Sequence, residues 1–332
     1  MERVCLTLLP LCDEGGVKRY RSTAIKMRVV LGAFVAVAGT VTAVALTVTG
    51  VSSAFPSDAV RMPFVGDWHY YSRPRGMLTS SDDVLVATVA CSPQLVFGER
   101  GQGCALVPPM RYCDLGCGIG SSLLLVAHAS RPNYSLGVEV QEVSYQMVSR
   151  AVRELPEPPC IEVVHADLRS LSSPLQPFDL VTANPPYLPA SSGTRPADAQ
   201  RSMARFELHG GVEDYCLAAQ RLLSRDGRFV LACWYLMRDR VERAAARSGL
   251  NVGRRLDVIG GAHGATTPHL SIWELHHCDN PPRPVVEATL DITRTAAGGL
   301  NPAYKALCAA MNMRPRPLQP RGSASPRTGI RK

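Results

Sequence analysis

The chain has 332 residues, 46% hydrophobic and 19% charged, enough apolar material for a sizeable core and too ordered a composition for wholesale disorder. Eleven cysteines are too dilute for a disulfide scaffold and no pair has zinc-knuckle spacing, so buried reduced thiols are expected. The net charge of +8 belongs to the two ends: six basic and three acidic residues over Met1–Arg28, six basic and none acidic over Met313–Lys332, and 24 basic against 25 acidic between them. A basic body that grips nucleic acid nonspecifically is therefore not supported, although a basic tail could assist.

Residues 1–28 read as a basic leader and 29–50 as a hydrophobic segment. From Val29 to Thr49 there are 21 uncharged residues, which at about 1.5 Å rise each just span a bilayer core. Lys18, Arg19, Arg21, Lys26 and Arg28 precede it, as in a segment whose N-terminal side stays in the cytoplasm or matrix. Two readings are open: a transmembrane helix that anchors the chain, or a cleavable leader, organellar (mitochondrial) in type, cut after Val51-Ser52-Ser53-Ala54.

Between about Met110 and Leu275, short apolar runs alternate with helical stripes. Met110–Leu115, Ser135–Val140, Ile161–His165, Phe178–Ala183 and Arg228–Tyr235 are expected as strands, with Val252–Gly260 and His269–Leu275 closing the sheet. Helices are expected over Ser121–Ala129 and Val143–Leu155, and along the face Val212, Tyr215, Cys216, Ala219, Leu222, Leu223, which Gly227 would end as a left-handed cap. The alternation predicts an α/β fold: a seven-stranded, mostly parallel, Rossmann-like sheet with helices on both faces. Residues 313–332, rich in arginine and proline, lack periodicity and read as a basic disordered tail.

Three acids follow three successive strands. Asp114 opens the run Asp114-Leu115-Gly116-Cys117-Gly118-Ile119-Gly120, where glycines let the backbone turn sharply and approach a ligand. Glu139 lies 25 residues on and suits a pair of ribose hydroxyls; Asp167, followed by Leu168, comes after the third strand. Strand C-termini open onto one crevice, so the three acids are expected together. Asn184-Pro185-Pro186-Tyr187 directly follows the fourth strand. Its prolines stiffen the loop, its amide offers an acceptor, and Tyr187 offers a ring for stacking. His165 and the pair His276-His277 are expected to pack or face solvent, and no metal site is expected.

The GxGxG run Gly116–Gly120 with Asp114 resembles the first motif of class I S-adenosylmethionine-dependent methyltransferases, and Asn184–Tyr187 resembles the (N/D)PPY loop of members that act on planar amines. The resemblance implies S-adenosyl-L-methionine as cofactor, held by Asp114, Gly116, Gly118, Gly120, Glu139, Asp167, Leu168 and Asn184. It also implies that Asn184, Pro185, Pro186 and Tyr187 carry the chemistry. A planar amine is a poor nucleophile because its lone pair is delocalised. The Asn184 and Pro185 carbonyls would accept its two N–H bonds and turn the lone pair toward the methyl group.

The flanks narrow the resemblance. Thr79-Ser80-Ser81-Asp82-Asp83-Val84-Leu85-Val86-Ala87, Ala204–His209 and Leu222–Phe229 are similar to segments of the bacterial tRNA(1)-valine adenine-N6 methyltransferase family. The similarity runs over about Pro63–Met311. Phe206 stands where that family has histidine. The implied division is a lead-in at 56–105, a catalytic domain at 106–277 and a C-terminal extension at 278–312. The implied function is methylation of the exocyclic amine of adenine in RNA, with tRNA as partner. Arg195, Arg201 and Arg205 follow the loop closely, and two readings of them are open: phosphate contacts, or ordinary solvated arginines with carboxylate partners. Two alternatives stand beside the implied function: a glutamine methyltransferase acting on a translation protein, and a silent cofactor-binding membrane protein.

Overall fold

The computed structural model describes residues 55–98, 110–156, 160–278 and 284–313. The expected leader, the apolar segment at 29–50 and all but the first residue of the basic tail lie outside the described residues. Among the described residues, no helix is long and apolar enough to cross a membrane.

A short hairpin, β1 (Val60–Pro63) and β2 (His69–Ser72), precedes helix α1 (Ser81–Cys91) and the single turn α2 (Gln94–Phe97). Helix α1 starts at a capping box: the Ser80 side chain accepts from the Asp83 N–H, and the Asp83 carboxylate accepts from the Ser80 N–H. Val84 to Ala90 are all buried, so this helix is apolar on every side and sits inside the fold.

Strands and helices then alternate: β3 (Arg111–Leu115), α3 (Ser121–Ser130), β4 (Tyr134–Glu139), α4 (Glu142–Arg153), β5 (Ile161–His165), β6 (Phe178–Ala183). After α5 (Ala199–Arg205) and α6 (Val212–Leu222) come β7 (Leu223–Trp234), α7 (Arg238–Arg247), β8 (Leu250–Ile259), β9 (Leu270–His277), β10 (Val286–Asp291) and α8 (Pro302–Ala310). The sheet order is β10-β8-β9-β7-β6-β3-β4-β5, and only β9 runs antiparallel to its neighbours. Alternate residues of β7 serve opposite faces. Val230 and Ala232 join a core with α1, α3 and α4, whereas Phe229, Leu231 and Cys233 join one with α6 and α7.

The expected α/β sheet with helices on both faces is therefore present, with one correction. It has eight strands, not seven. Val286–Asp291 alternates half-buried and exposed residues, and Val286, Ala288 and Leu290 pack on the core as β10 pairs in parallel with β8. A second correction concerns Gly227. Helix α6 ends at Leu222, and Gly227 lies inside β7 instead of capping the helix. A side chain there would bring its Cβ to 2.8 Å from the Phe178 carbonyl oxygen, so close backbone approach at a register shift explains the glycine.

A buried arginine ties the lead-in to the sheet. Buried Arg228 bridges to Glu274 at 2.8 Å and donates to the Ala90 carbonyl at the end of α1, at 2.9 Å. Arg254 reaches the same Glu274 at 3.1 Å, which satisfies a buried carboxylate from two sides. Helix α8 returns the chain to the hairpin, where Gly66 N–H donates to the Asn312 carbonyl. Helix α1 is thus fixed at its C-terminal end, and its first turn is aimed at the sheet's carboxyl edge.

Candidate active site

Strand β3 is the switch point: β4 and β5 lie on one side of it, and β6 and β7 on the other. A crevice must open there at the strands' carboxyl ends. It is a cleft of about 650 Å³ lined by Gly116, Gly118, Glu139, Asp167, Leu168, Asn184 and Pro186, among others. A smaller space of about 350 Å³ adds Asp83, Asp114, Ser121 and Ser122 around the same glycines and Asn184.

Each acid has a distinct environment. Asp114 is buried and accepts from the Thr182 hydroxyl at 2.6 Å; that oxygen in turn lies 2.8 Å from the Tyr112 hydroxyl. Burial pushes the Asp114 carboxyl up to about 7 against the pull of Thr182, and the Asp83 charge pushes the same way. The buried Glu139 carboxylate accepts from the Gly118 N–H at 2.7 Å and the Gln141 N–H at 2.6 Å. Burial raises its pKa, and these backbone donors oppose the rise. Asp167 is half-buried and gripped by Arg169 through two side-chain nitrogens. That contact holds its carboxyl below the usual range.

The glycines divide by role. Gly116 and Gly118 have φ of +65° and +57° and line the cleft. A Cβ on Gly116 would come within 2.5 Å of the Tyr215 hydroxyl, whereas nothing lies within 4 Å of one on Gly118. Gly118 therefore borders space that a ligand could fill. Gly120, φ +88°, lines neither cavity; it caps α3, where a Cβ would press on Val148 at 2.7 Å.

The loop after β6 is tied to α1, which sequence reasoning did not foresee. The Asn184 amide nitrogen donates to Asp83 at 2.8 Å. The Tyr187 hydroxyl donates to the Asn184 side-chain oxygen at 2.6 Å and lies 3.2 Å from Asp82. Pro185 is buried and Pro186 half-buried. The half-buried Tyr187 ring meets the exposed Trp234, at the end of β7, with ring centroids 5.6 Å apart. Asp82, Asp83 and Trp234 thus join the expected Asn184–Tyr187 loop. Asp83 is buried; burial pushes its carboxyl up to about 6, opposed by hydrogen bonds from Ser80 and Asn184.

Arg195, Arg201 and Arg205 are exposed around α5, beside the cleft-lining Met203 and Ala204. Arg195 donates to the Ala190 carbonyl. Among the described residues, none of the three forms an ion pair. His165 lies 3.1 Å from Glu142 and stacks on Tyr145, and His276 lies 3.1 Å from the buried Glu274. Among the described residues there is no group of three or more His, Cys, Asp or Glu that could hold a metal ion.

Residues 113–211 match the family described as a methyltransferase domain. Both the glycine turn and the Asn184–Tyr187 loop fall inside that match. The chain is 33% identical over 150 residues to a tRNA1(Val) (adenine(37)-N6)-methyltransferase of Bacteroides thetaiotaomicron, a match covering 45% of this chain and 62% of the relative. It is 28% identical over 151 residues to the enzyme of the same name from Yersinia pseudotuberculosis, covering 45% and 59%. The chain spans about three fifths of the length of these relatives. A solved structure of a predicted O-methyltransferase from Agrobacterium tumefaciens is 17% identical, with a TM-score of 0.48, over 69% of this chain and 96% of that one.

Proposed function

Starting from a methyltransferase domain at 113–211, we propose that the protein transfers a methyl group from S-adenosyl-L-methionine to the exocyclic amine of adenine in RNA, with tRNA the RNA class. The observation that carries this reading is the Asn184–Tyr187 loop at the switch-point crevice, facing a glycine turn with room beside Gly118. The catalytic domain is assigned to 106–277, flanked by the lead-in and the extension. The relatives' names support adenine in tRNA over protein glutamine.

The residues fit the cofactor. Glu139 would accept from two ribose hydroxyls, and Asp167 with Leu168 would meet the adenine. Asp114 and Gly116 would border the methionine end. Bound there, S-adenosylmethionine supplies an electrophilic methyl group on a sulfonium, so no base is needed before transfer. Asn184 and the Pro185 carbonyl accept the amine's N–H bonds and expose its lone pair. The rigid prolines hold that geometry for in-line attack, and Tyr187 with Trp234 offers the base an aromatic wall, worth about 1–3 kcal/mol per stacked base.

Four outcomes are expected. Glu139→Ala weakens cofactor binding by about 1.5–3 kcal/mol, the range for hydrogen bonds to charged groups; unchanged affinity by calorimetry in a folded variant would remove Glu139 from the site. Cofactor affinity falls as pH drops through about 7 and then about 6, because protonation of Asp114 and Asp83 removes the negative charge that favours a cationic ligand. The same raised values weaken the ligand-free fold as pH climbs from 3.8 toward about 7, since unfolding lets both acids ionise freely. Replacing Arg195, Arg201 and Arg205 together by glutamate raises KM for RNA at least about tenfold, flattens its salt dependence and leaves cofactor affinity unchanged.

The test of the reading is incubation of the full chain with labelled cofactor and either total RNA or a protein extract. Label in RNA adenine is expected. Label in protein glutamine would keep the mechanism and overturn the substrate.

A further inference from the structure

The side chain of Asn184 is an amide with one accepting and one donating end, and only the accepting end can hold a substrate N–H. Which end points where is set by its partners. Asp83 reaches it from α1, across 101 positions in the chain, and takes the donating nitrogen at 2.8 Å. The other Asp83 oxygen takes the Ser80 N–H at 2.8 Å and lies 3.1 Å from the Ser80 hydroxyl. The capping box therefore locks the carboxylate, and the carboxylate locks the amide. Tyr187 donates to the Asn184 oxygen on the far side, leaving that oxygen's second lone pair for a substrate.

We propose that Asp83 is a positioning residue for methyl transfer: its carboxylate holds the Asn184 amide with the nitrogen turned to α1 and the oxygen presented as acceptor to the target amine. The proposal rests on the reading of Asn184 as that acceptor. Asp83 does not touch substrate. It must offer two acceptors at once, one to Ser80 and one to Asn184, which an ionised carboxylate does and an amide cannot. No other side chain faces the Asn184 nitrogen within hydrogen-bond distance among the described residues.

The requirement for two acceptors gives an unusual test. In Asp83→Asn, the new amide keeps its oxygen on the Ser80 N–H and turns its NH2 toward Asn184. Two donors then meet, and Asn184 flips to show its own NH2 to the substrate. In Asn184→Asp alone, a second carboxylate meets the buried Asp83 carboxylate. In the double variant Asp83→Asn with Asn184→Asp, the NH2 at position 83 donates to the carboxylate at position 184, whose second oxygen again accepts from the amine. We expect single-turnover transfer at saturating cofactor to fall at least about 30-fold in Asp83→Asn, and to recover at least about tenfold in the double variant. A structural role alone would lower stability and rate together and would not be rescued by the swap. A wild-type rate in Asp83→Asn, or a double variant no faster than it, overturns the proposal.

A second readout needs no substrate. In wild-type protein labelled at asparagine, the Asn184 side-chain NH2 should exchange with solvent slowly because one proton is held by a buried carboxylate, and Asp83→Asn should lose that protection. Fast exchange in wild type overturns the proposal even if no variant folds. If wild type methylates no adenine, the substrate reading fails, and this spectrum still decides whether Asp83 holds the amide.

Discussion

Asn184→Ala is expected to slow single-turnover methyl transfer by about 100-fold or more while cofactor affinity stays within a few-fold, as for other acceptors or donors used only in the transition state. The variant removes the amide oxygen that would receive the amine proton, and with it the partner of Asp83 and Tyr187. It leaves Glu139, Asp167, Gly116 and Gly118 untouched, and these also line the cleft. Tyr187→Ala should act on the other parameter, raising KM for RNA as the aromatic wall with Trp234 is lost. A rate for Asn184→Ala equal to wild type would mean that the amine is positioned by something other than this loop.

Gly118→Val should lower cofactor affinity by about 100-fold or more, because its side chain would take the ligand's space, and should cost the fold only backbone strain. Its φ of +57° disfavours a β-branched side chain by roughly 1–2 kcal/mol. The side chain would enter space that is open within 4 Å of the Cβ, on the wall of the cleft. Because nothing in the protein clashes with it, the fold should survive with only the backbone cost. Gly120→Ala makes the contrast: its Cβ presses on Val148 at 2.7 Å, away from the cleft, so stability should fall more than affinity. Calorimetry paired with thermal unfolding separates the two; equal behaviour of the two variants would contradict the division of roles.

Much of this site was legible in the sequence because its parts are local. Asp114, Glu139, Asp167 and Asn184 each follow a short apolar run, and parallel strands bring such positions to one edge whatever their spacing. What stayed hidden is non-local. Asp82 and Asp83 precede the glycine turn by some 30 residues, in a segment marked in the sequence only by its resemblance. Only packing of the buried body of α1, Val84–Ala90, against β6 and β7 brings them to Asn184. The one local clue was serine at the N-cap with aspartate three residues later, which marks a carboxylate already committed to the backbone. Trp234 falls in the expected strand Arg228–Tyr235, and its exposure goes with β7 running on beyond its last β6 pair, Ala183 with Leu231, while still paired to β9. The eighth strand, Val286–Asp291, is a six-residue alternation without flanking helix, too brief to separate from an extended tail by pattern. Gly227 misled because a glycine after a helical stripe serves equally as a cap or as a point of close approach.

The central claim is that this loop delivers a methyl group to a planar exocyclic amine. The most direct measurement is to react the full chain with isotopically labelled S-adenosylmethionine and tRNA, digest the product to nucleosides and locate the methyl group by mass spectrometry. The account predicts N6-methyladenosine, with its formation reduced by Asn184→Ala. A methyl group on a ring nitrogen, a ring carbon or a ribose oxygen would contradict it.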